Sequence, residues 1–438
     1  MSKMDLRSSV GIRLFIVVLM TFLLLIPSLI IQMLISERQK RRDEVAGEIS
    51  RNWGTRQILI GPVLSIPFMH RTYDVKKNVV DTVQYMHFLP ERLDVKGDIS
   101  PETRNRSIYQ IVVYNSNLDI SAAFKPPEFD AFSISPENIL WQDASVWFGI
   151  SDMKGVKDPV KIDWNDKVIE AHPGIPSNDL VPSGISIPFQ IESGRAEFSF
   201  HAKLNLSGSF ELLFSPIGKE TTVQLSSDWR NPSFTGDYLP TRREVDETGF
   251  KSDWRVLHVS REFPQQWVGT RYNVEKSLFG VSLLLSVDQY QMTTRTVKYA
   301  IMFIALTFAT FFVIEILSGR PIHPIQYLLI GFALLIFYTL LLSLSEYVPF
   351  GYAYLVAAMA IVILITGYSA SFLGSRFRSG IVALVMAMLY GYLYVILQLQ
   401  DYALLMGSLM LFVALALTMY LTRAIDWFSV LNYRKMGE

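Results

Sequence analysis

Six long apolar stretches mark the chain, one near its N-terminus and five in succession near its C-terminus. Each comes close to the roughly 20 residues that an α-helix needs to cross a hydrocarbon core about 30 Å thick. The five C-terminal stretches contain a single acidic residue, Glu315, and no Lys or Arg. Because lipid offers backbone groups no hydrogen-bond partners, we predict a transmembrane helix for each stretch. The stretches are Ile12–Ile35, Tyr299–Leu317, Tyr327–Leu344, Gly351–Leu373, Ile381–Leu397 and Ala403–Leu421.

Residues 55–297 show a different pattern, in which apolar and polar residues alternate as they do in half-buried β-strands. No long amphipathic pattern interrupts the alternation, so we predict a large all-β, sandwich-like domain inserted between the first and second membrane helices. The clearest strands are Ile185–Ile191, Ala196–Phe214 with a bend at Ser207-Gly208-Ser209, Ile108–Phe124 around a predicted turn at Asn115-Ser116-Asn117, and Phe279–Val287, which leads almost directly into the second membrane helix.

Three short motifs of this domain occur twice in the same order. Leu64–Phe68 returns as Ile185–Phe189, Leu93–Gly97 as Leu204–Gly208, and Leu118–Ser121 as Val223–Ser226. We hypothesise two tandem lobes, 55–165 and 166–297. The alternative is chance similarity, because strands are built from few residue types.

The short connectors between the C-terminal helices predict the orientation, since Lys and Arg accumulate on the cytoplasmic side. Their basic residues all fall on one side of the membrane, whereas the connectors Ser345–Phe350 and Gln398–Tyr402 carry only Glu346 and Asp401. We therefore predict cytoplasmic tails at 1–11 and 422–438, a periplasmic domain at 55–297, and a five-helix block at 298–421. The basic residues are Arg320, Arg376, Arg378, Arg423, Arg434 and Lys435.

Four basic residues directly after the first span, Arg38, Lys40, Arg41 and Arg42, fall on the opposite side. Long translocated domains largely escape the charge rule. We interpret 36–54 as a helical stalk in which Glu37 pairs with Arg41 and Lys40 with Glu44, ended by Gly54. Binding of these residues to lipid headgroups is the alternative.

Composition excludes several function classes. The chain has 438 residues, no net charge and no Cys, so it carries neither a basic nucleic-acid footprint nor disulfides, thiolate metal sites or thiol catalysis. Its six His are scattered, and it has no phosphate-binding loop, nucleophile elbow or dinucleotide fingerprint. We expect no enzyme activity, cofactor or metal, although the acidic pairs Glu128/Asp130 and Asp246/Glu247 leave a glycosidase open.

Two places are candidates for function. A stretch rich in Pro, Gly and aromatic residues is predicted as a rigid loop that binds a periplasmic protein or a glycan, or that tucks its aromatic rings into the sandwich. Its candidate residues are Trp229, Asn231, Pro232, Phe234, Gly236, Asp237 and Tyr238. In the membrane, Glu315 is a candidate polar site whose carboxylate is expected to reach toward Arg320 or His323.

We favour a packed helix bundle over a pore, because the spans carry mainly Ser, Thr and Tyr as polar residues and small residues recur at close-packing intervals. The small pairs are Ala353/Ala357, Gly367/Ser371 and Ala370/Gly374.

Several motifs resemble the CreD family of bacterial inner-membrane proteins, also called cell envelope integrity proteins. The resemblance implies a Gram-negative inner-membrane protein tied to a CreBC-type two-component system, envelope integrity and responses to β-lactams or colicins. The family has no assigned catalytic residue that the resemblance could transfer to this chain. The matching residues are Trp229, Pro232-Ser233-Phe234, Gly236-Asp237, Leu239-Pro240, Asp288-Gln289-Tyr290, Lys298-Tyr299-Ala300, Ala305-Leu306-Thr307-Phe308, Phe311-Phe312-Val313, Glu315, His323-Pro324, Gln326-Tyr327-Leu328-Leu329, Leu344-Ser345-Glu346, Leu421-Thr422-Arg423 and Ile425-Asp426-Trp427.

Together these features predict a module, tethered to the bilayer at both ends, that senses or braces the envelope. A load on the domain is expected to pass through the short connection after Phe279–Val287 into the block. A transporter and a periplasmic envelope-modifying enzyme are the alternatives.

Overall fold

The computed structural model describes residues 10–73, 79–132, 134–189, 196–283, 289–318, 321–399 and 402–423. The chain forms two compact units. The membrane unit comprises Met1–Arg42 and Val287–Glu438, and the β unit comprises Asp43–Ser286.

The described part of the chain contains eight α-helices. They are α1 (Val10–Leu23), α2 (Leu25–Trp53), α3 (Gln289–Lys298), α4 (Ala300–Ser318), α5 (Pro324–Ser345), α6 (Phe350–Leu373), α7 (Arg376–Gln398) and α8 (Ala403–Thr422). Among the described residues, six helical stretches are long and apolar enough to cross a membrane: α1 with α2, and each of α4 to α8. This confirms the six predicted spans and their division into one plus five.

The first span and the predicted stalk form an almost continuous helix. Pro27 has no N–H to donate to the carbonyl of Leu23, which accounts for the interruption between α1 and α2. Leu24 N still donates to Met20 O at 3.0 Å, and Ser28 N donates to Leu24 O at 3.3 Å. The helix then continues to Trp53 and ends before Gly54.

The interior of the membrane unit is built from large rings and small residues. The Phe337 ring of α5 meets those of Tyr338, Tyr354 and Tyr390, with ring centroids 5.0, 5.4 and 4.7 Å apart. Ala353 and Ala357 of α6 are fully buried, as expected for close helix packing. The pairs Gly367/Ser371 and Ala370/Gly374 instead lie on the exposed face of α6, so that part of the prediction is wrong for the single chain.

The β unit contains two sheets. Its described strands are β1 (Gln57–Tyr73), β2 (Val79–Phe88), β3 (Arg92–Arg106), β4 (Tyr109–Phe124), β5 (Ser145–Ile150), β6 (Lys161–Trp164), β7 (Lys167–Glu170), β8 (His172–Pro173), β9 (Gly184–Pro188), β10 (Phe198–Ser209), β11 (Glu211–Phe214), β12 (Glu220–Ser227), β13 (Pro232–Gly236), β14 (Arg242–Asp246), β15 (Gly249–Leu257), β16 (Gln266–Val268) and β17 (Phe279–Leu283).

One sheet has the order β13-β17-β11-β1-β5-β9-β8, with β2 also paired to β1 and β16 to β2. The other has the order β14-β15-β12-β3-β4-β10-β6-β7. Two pairs, β1 with β11 and β3 with β12, are parallel, so the sheets are mixed. Apolar residues of both sheets form one hydrophobic core. This confirms the predicted sandwich-like domain.

Two predicted turns have different outcomes. The chain leaves one sheet for the other at Phe210, which separates β10 from β11 and has a positive φ of 65°, directly after the predicted bend. The turn predicted at Asn115-Ser116-Asn117 is wrong, because β4 runs straight through it. The Ser116 side chain is buried there and donates to Leu206 O at 2.8 Å, which satisfies its hydroxyl within the sheet.

The two tandem lobes are also wrong. Strands from both proposed halves interleave in both sheets: β1 pairs with β11, and β3–β4 lies between β12 and β10. Asp43–Ser286 is one compact unit. The repeated motifs therefore reflect the small set of residues that suits alternating strands.

The connection into the second membrane span also differs from the prediction. The last described strand, β17, ends at Leu283, and 284–288 lie outside the described residues. The ten-residue helix α3 then precedes α4, with Tyr290, Thr293, Thr296 and Val297 on its buried face. A strand therefore does not lead directly into the span.

Gly54 gives a test of how α2 ends. Its φ is +143°, and a Cβ there would lie 2.5 Å from the carbonyl oxygen of Ser207. We expect Gly54→Ala to destabilise the β unit by about 1–3 kcal/mol, because only Gly adopts this backbone region without strain. The measurement is thermal unfolding of the full chain in detergent, followed by the circular dichroism of the β-strands.

Gly47→Ala in the same helix is the matched control. A Cβ at Gly47 meets only the end of Arg51 at 3.6 Å. Ala there should stabilise the helix by about 0.5–1 kcal/mol. Equal effects of the two substitutions would contradict this account of Gly54.

Candidate functional site

Glu315 lies in the last turn of α4 and is only 3% exposed. Its Oε1 accepts a hydrogen bond from Arg13 Nη1 at 3.1 Å, and its Oε2 accepts one from Tyr327 Oη at 2.9 Å. Arg13 comes from α1 and Tyr327 from α5, so these three residues, the Glu315 cluster, join three helices. Both oxygens of this buried carboxyl group are therefore hydrogen-bonded, as burial of a polar group among membrane helices requires.

The partners predicted for Glu315 are not those that the structure shows. His323 is the N-cap of α5: its Nδ1 accepts from Ile325 N at 3.3 Å, and its own N donates to Gln326 Oε1 at 2.9 Å. Arg320 lies outside the described residues. Glu315 follows Phe308 and Phe311 on the buried face of α4, so its side chain points into the bundle and does not reach outward along the helix.

A second charged cluster lies at the opposite end of the bundle, directly after α5. Glu346 Oε1 accepts from Tyr290 Oη at 3.2 Å and lies 3.9 Å from Arg38 Nε. The Arg42 guanidinium lies 5.6 Å from the centroid of the Tyr290 ring. We call Arg38, Arg42, Tyr290 and Glu346 the Glu346 cluster; it joins α2 to α3 and to the end of α5.

The two clusters hold the first helix at both faces of the membrane. Arg13 and Arg38 are separated by 25 residues, or about 37 Å at about 1.5 Å per residue, slightly more than a hydrocarbon core about 30 Å thick. Among the described residues of 299–423, Glu315 and Glu346 are the acidic ones, and each pairs with an Arg of the first helix. Both ion pairs therefore lie on the face of α1 and α2 that packs against the block.

The other end of α2 is fixed within the β unit. The cations of Arg104 and Lys157 lie 4.1 and 5.4 Å from the centroid of the Trp53 ring. Its Nε1 donates to Tyr114 O at 3.3 Å. Asp152 accepts from Thr55 N and Oγ1, both at 2.9 Å, and although partial burial raises the pKa of this carboxyl, these bonds hold it below its ordinary value.

The aromatic stretch that sequence analysis offered as an interaction loop contains strand β13, which pairs with β17. The Phe234 ring packs against Phe250 and Trp254 at 5.8 and 5.7 Å, and Tyr238 Oη donates to Ser260 O at 2.7 Å. Trp229, Phe234 and Tyr238 all pack against the core. This arrangement matches the alternative in which the rings tuck into the sandwich, while Asn231, Gly236 and Asp237 stay exposed; Pro232 is half-buried.

A buried polar chain in the β unit has the residue types of a hydrolase triad. Trp147 Nε1 donates to Ser65 Oγ at 2.7 Å, Ser65 Oγ lies 2.8 Å from His87 Nδ1, and His87 Nε2 lies 3.1 Å from Asp179 Oδ2. An ionised Asp179 carboxylate can only accept, so His87 Nε2 donates to it, and in that tautomer Nδ1 can accept from the Ser65 hydroxyl. Ser65 and His87 are 0% exposed, so no substrate reaches the hydroxyl, and the chain acts as a structural tie.

The sequence did not predict the Ser65–His87–Asp179 chain or the pairing of Arg13 with Glu315, and the reasons differ. The Ser65–His87–Asp179 chain joins separate strands and a loop, so no spacing reveals it. Arg13 does carry a signal, since it is the one charged residue within Ile12–Ile35 and Glu315 the one charged residue within the five C-terminal stretches. Opposite charges inside spans are expected to pair.

Comparisons with known proteins support the family resemblance that the quoted motifs indicate. The family model described as inner membrane protein CreD matches residues 9–428. The chain is also 33% identical over 413 residues to the inner membrane protein CreD of Escherichia coli (strain K12), covering 93% of this chain and 91% of that protein. The chain belongs to the CreD family. It is therefore an inner-membrane protein with several membrane-spanning helices, and the resemblance inferred from its motifs is confirmed.

A double-mutant cycle tests the Glu315 cluster. We expect Arg13→Gln and Glu315→Gln each to lower the free energy of unfolding by about 1–3 kcal/mol, since each leaves a charged or polar partner unsatisfied. Together they should cost less than the sum of the two, with a coupling of about 1 kcal/mol or more. The measurement is denaturant or thermal unfolding of the full chain in detergent.

The control cycle combines Glu315→Gln with Arg376→Gln, because Arg376 begins α7 and is not part of the cluster. These two changes should add within about 0.5 kcal/mol. Equal additivity in both cycles would show that Arg13 and Glu315 do not interact.

The Asp179 bond predicts a dependence on pH. The hydrogen bond from His87 lowers the pKa of Asp179, so its stabilisation is full above the unfolded value of about 3.9 and is lost as pH falls through the folded value. We expect the melting temperature of the β unit to fall as the pH drops below about 4, and to fall less steeply in Asp179→Asn. Asp119→Asn, which alters the exposed Asp119–His201 pair, is the control. Parallel acid profiles for the parent and Asp179→Asn would contradict the prediction.

Proposed function

We propose that this CreD-family protein supports the integrity of the cell envelope as a membrane-tethered binding or bracing module, without catalytic activity of its own. In this proposal the β unit is periplasmic, both termini are cytoplasmic, and the protein contributes to responses to β-lactams or colicins. The family supplies the envelope setting, and the basic connectors between the C-terminal helices supply the orientation.

The observation that carries the proposal is the way the first helix is held. α2 runs from Leu25 to Trp53, beginning in the membrane unit and ending in the β unit. The Glu346 cluster fixes α2 at Arg38, and the contacts of Trp53 fix its C-terminal end. The Glu315 cluster fixes α1 at Arg13. A displacement applied at Trp53 is therefore passed along a helix whose charged contacts lie at both membrane faces.

The alternatives have less support. A transporter is expected to place polar groups and broken helices near the midplane of the bilayer. Here the charged groups lie at the ends of the spans, and the interior around Phe337 is aromatic. For an enzyme, the Ser65–His87–Asp179 chain offers suitable residue types, yet its hydroxyl is enclosed by the core. Substrate flux in proteoliposomes and hydrolase assays of the full chain distinguish these alternatives.

The partner in the periplasm is proposed to be an envelope protein or a glycan. Asn231, Gly236 and Asp237 form the exposed part of the aromatic stretch and are the positions from which a crosslinker would reach it. No nucleic acid is expected as a partner, because the chain has no net positive charge.

A linker insertion in cells tests the transmission of load. Cells that lack the protein are complemented with a chain carrying a flexible Gly/Ser linker between Arg42 and Asp43, and their sensitivity to β-lactams and colicins is measured. We expect loss of protection at an unchanged membrane level of the protein, because a flexible linker no longer transmits displacement along α2.

The matched control is an Ala-rich insertion of seven residues at the same place. Seven residues make almost two turns, so the helix continues with nearly the same face toward its neighbours. This variant should protect the cells. Full protection by the flexible variant would overturn the proposed transmission.

A further inference from the structure

The basic residues after the first span lie at the depth of lipid headgroups. Ile35 is the last apolar residue of that span and is 2% exposed. Residues 38–42 follow in the same helix, about 4–11 Å further along it at about 1.5 Å per residue. A bilayer about 40–45 Å thick with a hydrocarbon core of about 30 Å leaves about 5–7 Å for the headgroups on each side. Arg38, Lys40, Arg41 and Arg42 therefore lie at or just beyond the phosphates.

Part of this charge faces away from the bundle. Ile31 and Ile35 are buried, Arg38 contacts Glu346 and Arg42 contacts Tyr290, so these positions define the inward face of α2. Lys40 lies about 200° around the helix from Arg38, at about 100° per residue, and is exposed. Arg41 is also exposed, but it lies at the side of the helix, about 60° from Arg38.

Helix α3 brings further basic residues to the same membrane face. Its contact with Arg42 through Tyr290 places it there, and its last turn carries Arg295 and Lys298. Lys298 is exposed and directly precedes the apolar span that begins at Ala300. A short amphipathic helix with basic residues beside a span is a common arrangement at a charged membrane surface.

The balance of charge at this face is basic. Its described residues, 36–42, 289–299, 345–350, 399 and 402, include six basic side chains and two acidic ones, Glu37 and Glu346. Asp43 and Glu44 follow Arg42 directly in α2, and with them the balance is six basic to four acidic side chains. Tyr347 is 76% exposed in the connector after α5, as expected for an aromatic residue at a membrane interface.

From these placements we propose that this face binds the phosphodiester headgroups of anionic phospholipids, through Lys40 and Arg41 of α2 and Lys298 of α3. Arg38 and Arg42 fix the helix on its inward face, and the exposed residues Lys40, Arg41 and Lys298 meet the lipid. The inference depends on the membrane unit alone and stands whether or not the protein braces the envelope.

Site-specific lipid capture tests the proposal. The chain has no native Cys, so Ser36→Cys, at an exposed position of α2, carries a photoreactive label in the full protein reconstituted with equal amounts of phosphatidylglycerol and phosphatidylcholine. We expect phosphatidylglycerol to be captured at least about fivefold in excess, since each basic residue near an anionic surface is worth about that factor. The excess should disappear in Lys40→Gln/Arg41→Gln/Lys298→Gln.

Two controls separate charge from damage to the fold. The variant Lys40→Arg/Arg41→Lys/Lys298→Arg keeps the charges and should keep the excess. A label at Phe377→Cys, exposed at the opposite end of the bundle, should report the same lipid ratio with and without the triple Gln change. Capture without preference at Ser36→Cys, or a preference that the triple Gln variant retains, would overturn the proposal.

Inorganic phosphate distinguishes lipid from free anion. Capture of phosphatidylglycerol that is equal in phosphate and in chloride at matched ionic strength supports a headgroup site. Loss of the excess in phosphate alone would assign the residues to a free phosphate and overturn the lipid assignment.

Discussion

A carboxylate that is buried among membrane helices must be paired, and this constraint organises the membrane unit. Glu315 and Glu346 occupy opposite ends of the five-helix block, and both draw their Arg partners from the first helix. Packing alone between apolar helices in lipid discriminates weakly between alternative faces, because lipid chains are as apolar as the side chains. The two ion pairs add specificity, so α1 and α2 become part of the bundle although residues 54–288 separate them from α3 along the chain.

The β unit is stabilised by a hydrophobic core and by hydrogen bonds between its buried polar groups. Its core combines the inner faces of two mixed sheets, and its polar groups in the interior are tied together, as in the chain from Trp147 through Ser65 and His87 to Asp179. Where α2 ends, Gly54 lets the chain turn against Ser207, and the Trp53 ring contacts two cations, Arg104 and Lys157. Contacts of Arg13 and Arg38 thus fix the first helix in the membrane unit, and contacts of Trp53 fix its end in the β unit.

How well a feature was predicted depends on how far apart along the chain the residues that determine it lie. The spans and the alternating strands depend on neighbouring residues. All six spans were predicted, whereas among the described strands only β4, β9, β10, β11 and β17 fall in the stretches named from the sequence. The turn at Asn115-Ser116-Asn117 failed because β10 satisfies polar groups of β4 that looked like turn residues. The tandem lobes failed because strand order is decided by contacts between distant segments. Glu315 was identified as a candidate, yet its partner Arg13 lies 302 positions away, and only the helix packing brings them together.

Crosslinking in native membranes tests the pairing of the first helix most directly, because the chain has no Cys of its own. Arg38→Cys/Glu346→Cys and Arg13→Cys/Glu315→Cys are treated with a short bifunctional thiol reagent, with Arg38→Cys/Arg376→Cys, at opposite ends of the bundle, as the reference. We predict that both test pairs form links within one chain and that the reference pair does not. Failure of both test pairs to link, or linking no better than the reference, would contradict the account.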